Sequence, residues 1–273
     1  MTAALILMSA IGLLVSAGSA LAQAALQPHL AAYRLALDRQ QGVSALVEVR
    51  GGLVIEWQRE CDGWVSRQRL GFVAATEDGG SISHDVRFTS WEASDGSRLR
   101  YVVRSFENNE LQQEYRGIAE LEPDDGGVAD FTEPHEAEVT LPPGTVFPTE
   151  HIQLVLQAAE AGRRFVSHEV FDGFGFDALT QVTSVIGAPR PLEPVPGHAP
   201  DVGSKSAWPV SMAYYNADRG DSGKVDRGES EPEFETTFML DAKGVLYDVH
   251  LDYGDFRLEA DLEELKLLER PSC

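Results

Sequence analysis

Residues 245–254 read Val245-Leu246-Tyr247-Asp248-Val249-His250-Leu251-Asp252-Tyr253-Gly254. Side chains of an extended chain alternate between two faces, so Tyr247, Val249, Leu251 and Tyr253 fall on one side and Asp248, His250 and Asp252 on the other. The stretch is a half-buried β-strand. Outward from it, the same alternation recurs at 30–37 (Tyr33, Leu35, Leu37), 98–106, 165–171, 178–186 and 234–240. Between these runs stand Gly51-Gly52, Asp78-Gly79-Gly80, Asp95-Gly96, Asn108-Asn109, Asp124-Asp125-Gly126-Gly127, Asp172-Gly173 and Ala242-Lys243-Gly244. Such clusters supply the positive φ angles and local side-chain hydrogen bonds that turns require. The fold class is therefore mainly β, with most spacings fitting sequential antiparallel hairpins.

One segment has another period. Ile152, Val155, Leu156 and Ala159 repeat at i, i+3, i+4 and i+7, after Pro148-Thr149 and before Gly162, which predicts one inserted α-helix over about 149–162. Its approach, Leu141-Pro142-Pro143-Gly144, is rigid and sets the helix across a sheet face or barrel end. The tail 258–269 fits two periods: Leu258, Leu262, Leu265 and Leu268 suit a helix, while Leu258, Ala260 and Leu262 suit a strand. Two stretches read as irregular: 187–204, with Pro189, Pro191, Pro194, Pro196 and Pro200, and 218–232, rich in Asp, Gly and Glu.

The chain has 273 residues and is 43% hydrophobic, enough to build a core. Its 22 basic and 44 acidic side chains give a net charge of -22, which repels phosphate backbones and anionic headgroups at long range. Nucleic acid is not an expected partner. No charged side chain precedes Arg34; an apolar run from Ala3 to Val15 leads to Ala20-Leu21-Ala22, a small-x-small cleavage site. These features predict a signal peptide over 1–22 and a periplasmic mature chain. An uncleaved N-terminal anchor is the rival reading.

Two cysteines, Cys61 and Cys273, are present. In an oxidising compartment an even count reads as a disulfide; two free thiols, or metal ligation without nearby histidine partners, are the alternatives. A bridge between these positions joins both halves of the chain, so 23–273 is read as a single domain with an irregular Pro-rich excursion at 187–204.

Catalytic signatures are missing from the sequence. The histidines at 29, 84, 135, 151, 168, 198 and 250 form no HExxH or HxH pattern, and no GxSxG, Walker A or GxGxxG segment occurs. His84-Asp85, His135-Glu136 and His168-Glu169 are neighbours that a strand turns to opposite faces. Asn216, Asp218, Asp221 and Asp226 do not follow the order of a calcium loop, and Arg219-Gly220-Asp221 is ordinary turn composition. Carboxylate spacing is uninformative at this acid content. No catalytic, metal or cofactor residue is assigned, the ligand-binding residues are unknown, and the expectation is a non-enzyme. Trp57, Trp64, Trp91 and Trp208, with Phe72, Phe88, Tyr101 and Phe106, are read either as core or as an apolar concave face for an acyl chain or peptide.

Several blocks together resemble the EipB family of cell-envelope integrity proteins. They are Cys61-Asp62-Gly63-Trp64, Ser90-Trp91-Glu92 with Asp95-Gly96, Tyr115-Arg116-Gly117-Ile118, the run from Leu141 to His151, Val170-Phe171-Asp172-Gly173, Trp208-Pro209, Met212-Ala213-Tyr214-Tyr215 and Cys273. The resemblance implies a periplasmic β-spiral or open barrel, a long curved antiparallel sheet similar to part of the lipoprotein-carrier barrels, with one helix inserted. It also implies a bridge between Cys61 and Cys273, a strand at the tail, a role in the envelope barrier, a periplasmic tetratricopeptide-repeat partner and no assigned catalytic residues. A lipid or lipoprotein acyl chain in the concave face is the alternative ligand. The Pro-rich 187–204 segment departs from the family pattern.

Overall fold

The computed structural model describes residues 26–40, 46–122, 124–192, 204–216 and 231–273. Eight strands form the first half: β1 (His29–Gln40), β2 (Leu46–Arg59), β3 (Gly63–Thr76), β4 (Ser81–Ala93), β5 (Arg98–Glu107), β6 (Glu110–Glu122), β7 (Gly126–Glu133) and β8 (Ala137–Leu141). A short β9 (Thr145–Val146) and the helix α1 (Pro148–Glu160) follow. The second half holds β10 (Phe165–Phe171), β11 (Leu179–Ile186), β12 (Arg190–Pro191), β13 (Ser206–Asn216), β14 (Phe234–Asp241), β15 (Leu246–Asp252) and β16 (Phe256–Leu267).

Strand order in the sheet is chain order. Successive strands pair antiparallel, β1 pairs with β16, β12 lies beside β13, and β9 runs parallel to β10. The result is a nearly closed, barrel-like spiral whose two ends, β8 and β9, are consecutive in the chain. Pro142-Pro143-Gly144 is thus the link across the single seam, and α1 starts just beyond it. Asn108 and Asn109, with φ of 51° and 65°, give the pair of positive angles that a two-residue hairpin needs between β5 and β6.

One expectation is corrected. Gly51-Gly52 is not a turn but the middle of β2, because there β2 and β3 approach too closely for side chains: a Cβ on Gly51 would lie 2.2 Å from the Gly71 carbonyl and 2.5 Å from Phe72 Cβ. The helix expected over about 149–162 is present and runs from Pro148 to Glu160; proline suits the first helical position, where its missing N–H is no loss. Part of the 187–204 excursion is ordered as β12, while 193–203 lies outside the described residues. So do the 1–22 leader and residues 217–230 of the acidic loop.

The ambiguous tail is a strand. Leu265 pairs with Ala31 and Leu262 with Tyr33 across a register shift, so a bulge turns two leucines three apart toward the same face. That is why the tail carries a helix-like spacing.

Inner-face residues form two main clusters. In one, Val155, Leu156, Ala158 and Ala159 of α1 meet Ile55, Trp57, Trp64, Val170, Val182 and Val210. In the other, Phe88, Leu99, Tyr101, Phe131, Phe147 and Phe171 come together. Each fully buried aliphatic or aromatic side chain contributes about 1.5–3 kcal/mol.

Candidate functional site

The most elaborate arrangement lies at the seam, where α1 meets the first half of the spiral. Phe147, the residue before the helix, has no side chain able to cap it. The cap comes instead from β4: the Glu92 carboxylate accepts hydrogen bonds from the backbone N–H groups of Thr149 at 2.8 Å and Glu150 at 2.7 Å. An anion at a helix N-terminus is favoured by the dipole and by otherwise orphaned donors. Glu92 is only 2% exposed, and this burial pushes its carboxyl up to about 7, outweighing the hydrogen bonds that pull it down. The contact locks the N-terminus of the helix to β4.

Below the seam, the Tyr101 ring occupies a slot between two backbones. A Cβ on Gly117 would come within 2.4 Å of the Tyr101 hydroxyl, and one on Gly173, whose φ is +80°, within 2.3 Å of its ring. Edge contacts to Phe131 and Phe171 complete the cluster, with centroids 5.6 and 5.7 Å away. Asp172-Gly173, read as a hairpin signal, opens the 172–178 loop that packs over β6. This loop borders a cleft of about 340 Å³ with Tyr115, Thr180, Asn216 and Glu233. Burial pushes the Asp172 carboxyl up to about 6.

Inside the spiral, His151 of α1 faces His168 of β10, ring centroids 5.6 Å apart. Burial, then the neighbouring His168, holds His151 down to about 4, so it is neutral at physiological pH. No local pattern marks this pair, since the two residues sit on different elements. Among the described residues no group of three or more His, Cys, Asp or Glu is placed to hold a metal ion.

Cys61, in the β2–β3 turn, and Cys273 are joined in a disulfide with a Cα–Cα distance of 5.7 Å, so neither is a free thiol. The core reading holds for four of the aromatic residues, and two others follow neither reading. Trp57, Trp64, Phe88 and Tyr101 are buried in the core. Trp91 and Phe106 lie on the outer face beneath arginines, Arg100 over Trp91 at 5.0 Å and Arg87 over Phe106 at 4.6 Å. Among the described residues no helix is long and apolar enough to cross a membrane.

A nearly closed antiparallel spiral, one helix at its seam and a disulfide on its last segment define the class of beta-barrel-like proteins. Residues 20–269 match the family model described as EipB-like, and the chain belongs to that family. It is 30% identical over 259 residues to the cell envelope integrity protein EipB of Brucella abortus (strain 2308), covering 93% of this chain and 88% of that protein. It also superimposes, with a TM-score of 0.78 and 30% identity, on the crystal structure of a beta-barrel-like protein of a domain of unknown function from Brucella abortus. That match covers 89% of this chain and 99% of the other.

Proposed function

We propose that the protein is exported to the periplasm, with its leader removed after Ala22, and supports cell-envelope integrity by binding a protein partner rather than by catalysis. The relationship to a cell envelope integrity protein over 93% of the chain carries the envelope part of this reading. The disulfide agrees with an oxidising compartment. Binding is favoured because α1 and the apolar clusters fill the inner face, which leaves the sheet's outer surface and edges for recognition. A second reading, a carrier of lipid or lipoprotein acyl chains, has one observation in its favour: the inner face beneath α1 is apolar, so a chain could replace the helix there.

Deletion of the gene is expected to raise detergent sensitivity and dye entry, with rescue by the full chain and not by a form lacking residues 1–22. An intact barrier after deletion overturns the envelope role. Native mass spectrometry of the protein purified from its own periplasm separates the two binding readings. A stable protein complex supports the first, and a defined lipid mass supports the carrier.

A further inference from the structure

The outer face of β3, β4 and β5 inverts the charge of the molecule. Cross-strand register places Arg67, Arg69, Arg87, Arg98, Arg100 and Arg104 on this face, with Asp85 as its one acidic residue. Six arginines to one acid stand in a chain with 22 basic and 44 acidic side chains.

Their arrangement is specific. Arg69 lies directly opposite Arg87, and Arg87 opposite Arg104. Like charges at opposed positions destabilise a sheet, so this row needs compensation. It is only partial. Asp85 binds Arg69 through both oxygens, each at 2.9 Å, and also Arg87 at 2.6 Å; Glu114 of β6 is shared by Arg104 at 3.0 Å and Arg116 at 2.8 Å; and Glu56 and Glu120 pair singly with Arg67 at 3.0 Å and with Arg98. One carboxylate for two guanidinium groups leaves positive charge and spare donors toward solvent. The rings of Trp91 and Phe106 support Arg100 and Arg87 from below. Next to the row, Gly52 faces Gly71 across β2 and β3, leaving an open depression of about 450 Å³ bordered by Arg50, Arg69, Val54, Val73 and Phe106.

The side-chain chemistry identifies the occupant. Every basic residue of the strip is arginine; the planar guanidinium fork matches carboxylates and phosphates in pairs, and the width of the strip decides between them. The strip spans three strands, about 10 Å from β3 to β5. Glu48 and Glu56 on β2 and Glu114 and Glu120 on β6 border it, together with Arg50 and Arg116. Four border acids against two border arginines disfavour an extended anionic plane such as a lipid surface, while the strip between them suits a ridge as narrow as one helix, about 10 Å across.

We propose that the outer face of β3–β5 docks a protein partner through an acidic helix or strand, seating one of its apolar side chains in the Gly52–Gly71 depression. This rests on, and deepens, the protein-binding reading.

The test uses a labelled Glu-rich peptide with one central Leu as probe, read by fluorescence anisotropy against the whole protein. The wild type is expected to bind it, and Arg69→Gln/Arg87→Gln/Arg104→Gln to weaken binding about tenfold or more, as loss of close charge pairs does. Should the triple variant fail to fold, Arg100→Gln decides. Arg100 lies over the Trp91 ring, and this variant should weaken binding without changing the melting temperature. Equal binding by the folded variants and the wild type overturns the proposal; so does binding to phosphatidylglycerol vesicles with none to the peptide. In deleted cells, a folded, exported triple variant that fails to restore the barrier supports the face. Full restoration overturns it while leaving the envelope role standing. If deletion leaves the barrier intact, the envelope role falls and the peptide result alone decides the face.

Discussion

Glu92 shows how a single carboxyl couples two elements. Glu92→Ala leaves the Thr149 and Glu150 N–H groups without their acceptor, at an expected cost of about 1–3 kcal/mol. The measurement is the urea midpoint, with the denaturant slope unchanged. The same carboxyl makes stability depend on pH. It titrates near 4.5 in the unfolded chain and is pushed up to about 7 in the native one, so between these values the native state binds more protons. Its contribution is present at low pH and is lost as pH rises through about 7. The wild-type advantage over Glu92→Gln should therefore shrink from pH 4.5 to 7, and a constant difference across that window counts against the assignment. His151 works in the opposite sense: held neutral in the native state, it costs stability as pH falls from 6.5 toward about 4. At Gly117, an added methyl collides with the Tyr101 hydroxyl and the Asp130 carbonyl. Gly117→Ala is expected to lose about 1–3 kcal/mol, seen as a lower melting temperature. Neither contact is legible in the sequence. Glu92 stands 57 residues from Thr149, and although Gly117 and Gly173 belong to recognisable blocks, the ring between them comes from a third strand.

At the level of elements, alternation gave the strands and an i, i+3, i+4, i+7 pattern gave the helix, because both are local. What stayed hidden depended on neighbours distant in sequence. Gly51-Gly52 reads as a turn in isolation; only the close approach of β3 shows why a strand lacks side chains there. The tail hid its strand because a bulge against β1 altered its period. That tail is also weakly held beyond β16: residues 269–273 are exposed, and a Leu268 N–H bond to the Pro28 carbonyl and an Arg270 bond to the Leu26 carbonyl precede the disulfide. The bridge thus ties the last segment to the β2–β3 turn across 212 residues of chain. Cys61→Ser is expected to lower stability by about 2–5 kcal/mol, through the freedom regained by the unfolded chain. Calorimetry of the oxidised wild type and the variant checks this. An equal melting temperature would falsify a stabilising role for the bridge.

For the whole molecule, chain-order pairing makes nearly every strand contact a hairpin contact, and the β1–β16 pairing alone joins the two halves into one sheet. This architecture was foreseen from resemblance, whereas the arginine strip was not, because it appears only when register aligns residues of three strands. The surface that closure creates holds many ion pairs, such as Arg34–Asp261 and Arg98–Glu120, most of them exposed and each contributing about 0–1 kcal/mol. Against them stands the mutual repulsion of a chain carrying -22. Salt screens both, but acids outnumber bases two to one (44 against 22), so repulsion is the larger loss. The melting temperature should rise as ionic strength goes from low values to about 0.15 M, where the screening length is about 8 Å. Docking of an acidic segment on the β3–β5 face should weaken over the same range, because there attraction is what salt screens. Opposite signs in calorimetry and in peptide anisotropy would show that the strip departs from the rest of the surface. A melting temperature that falls with salt would mean the shared-carboxylate arginine networks outweigh the net charge.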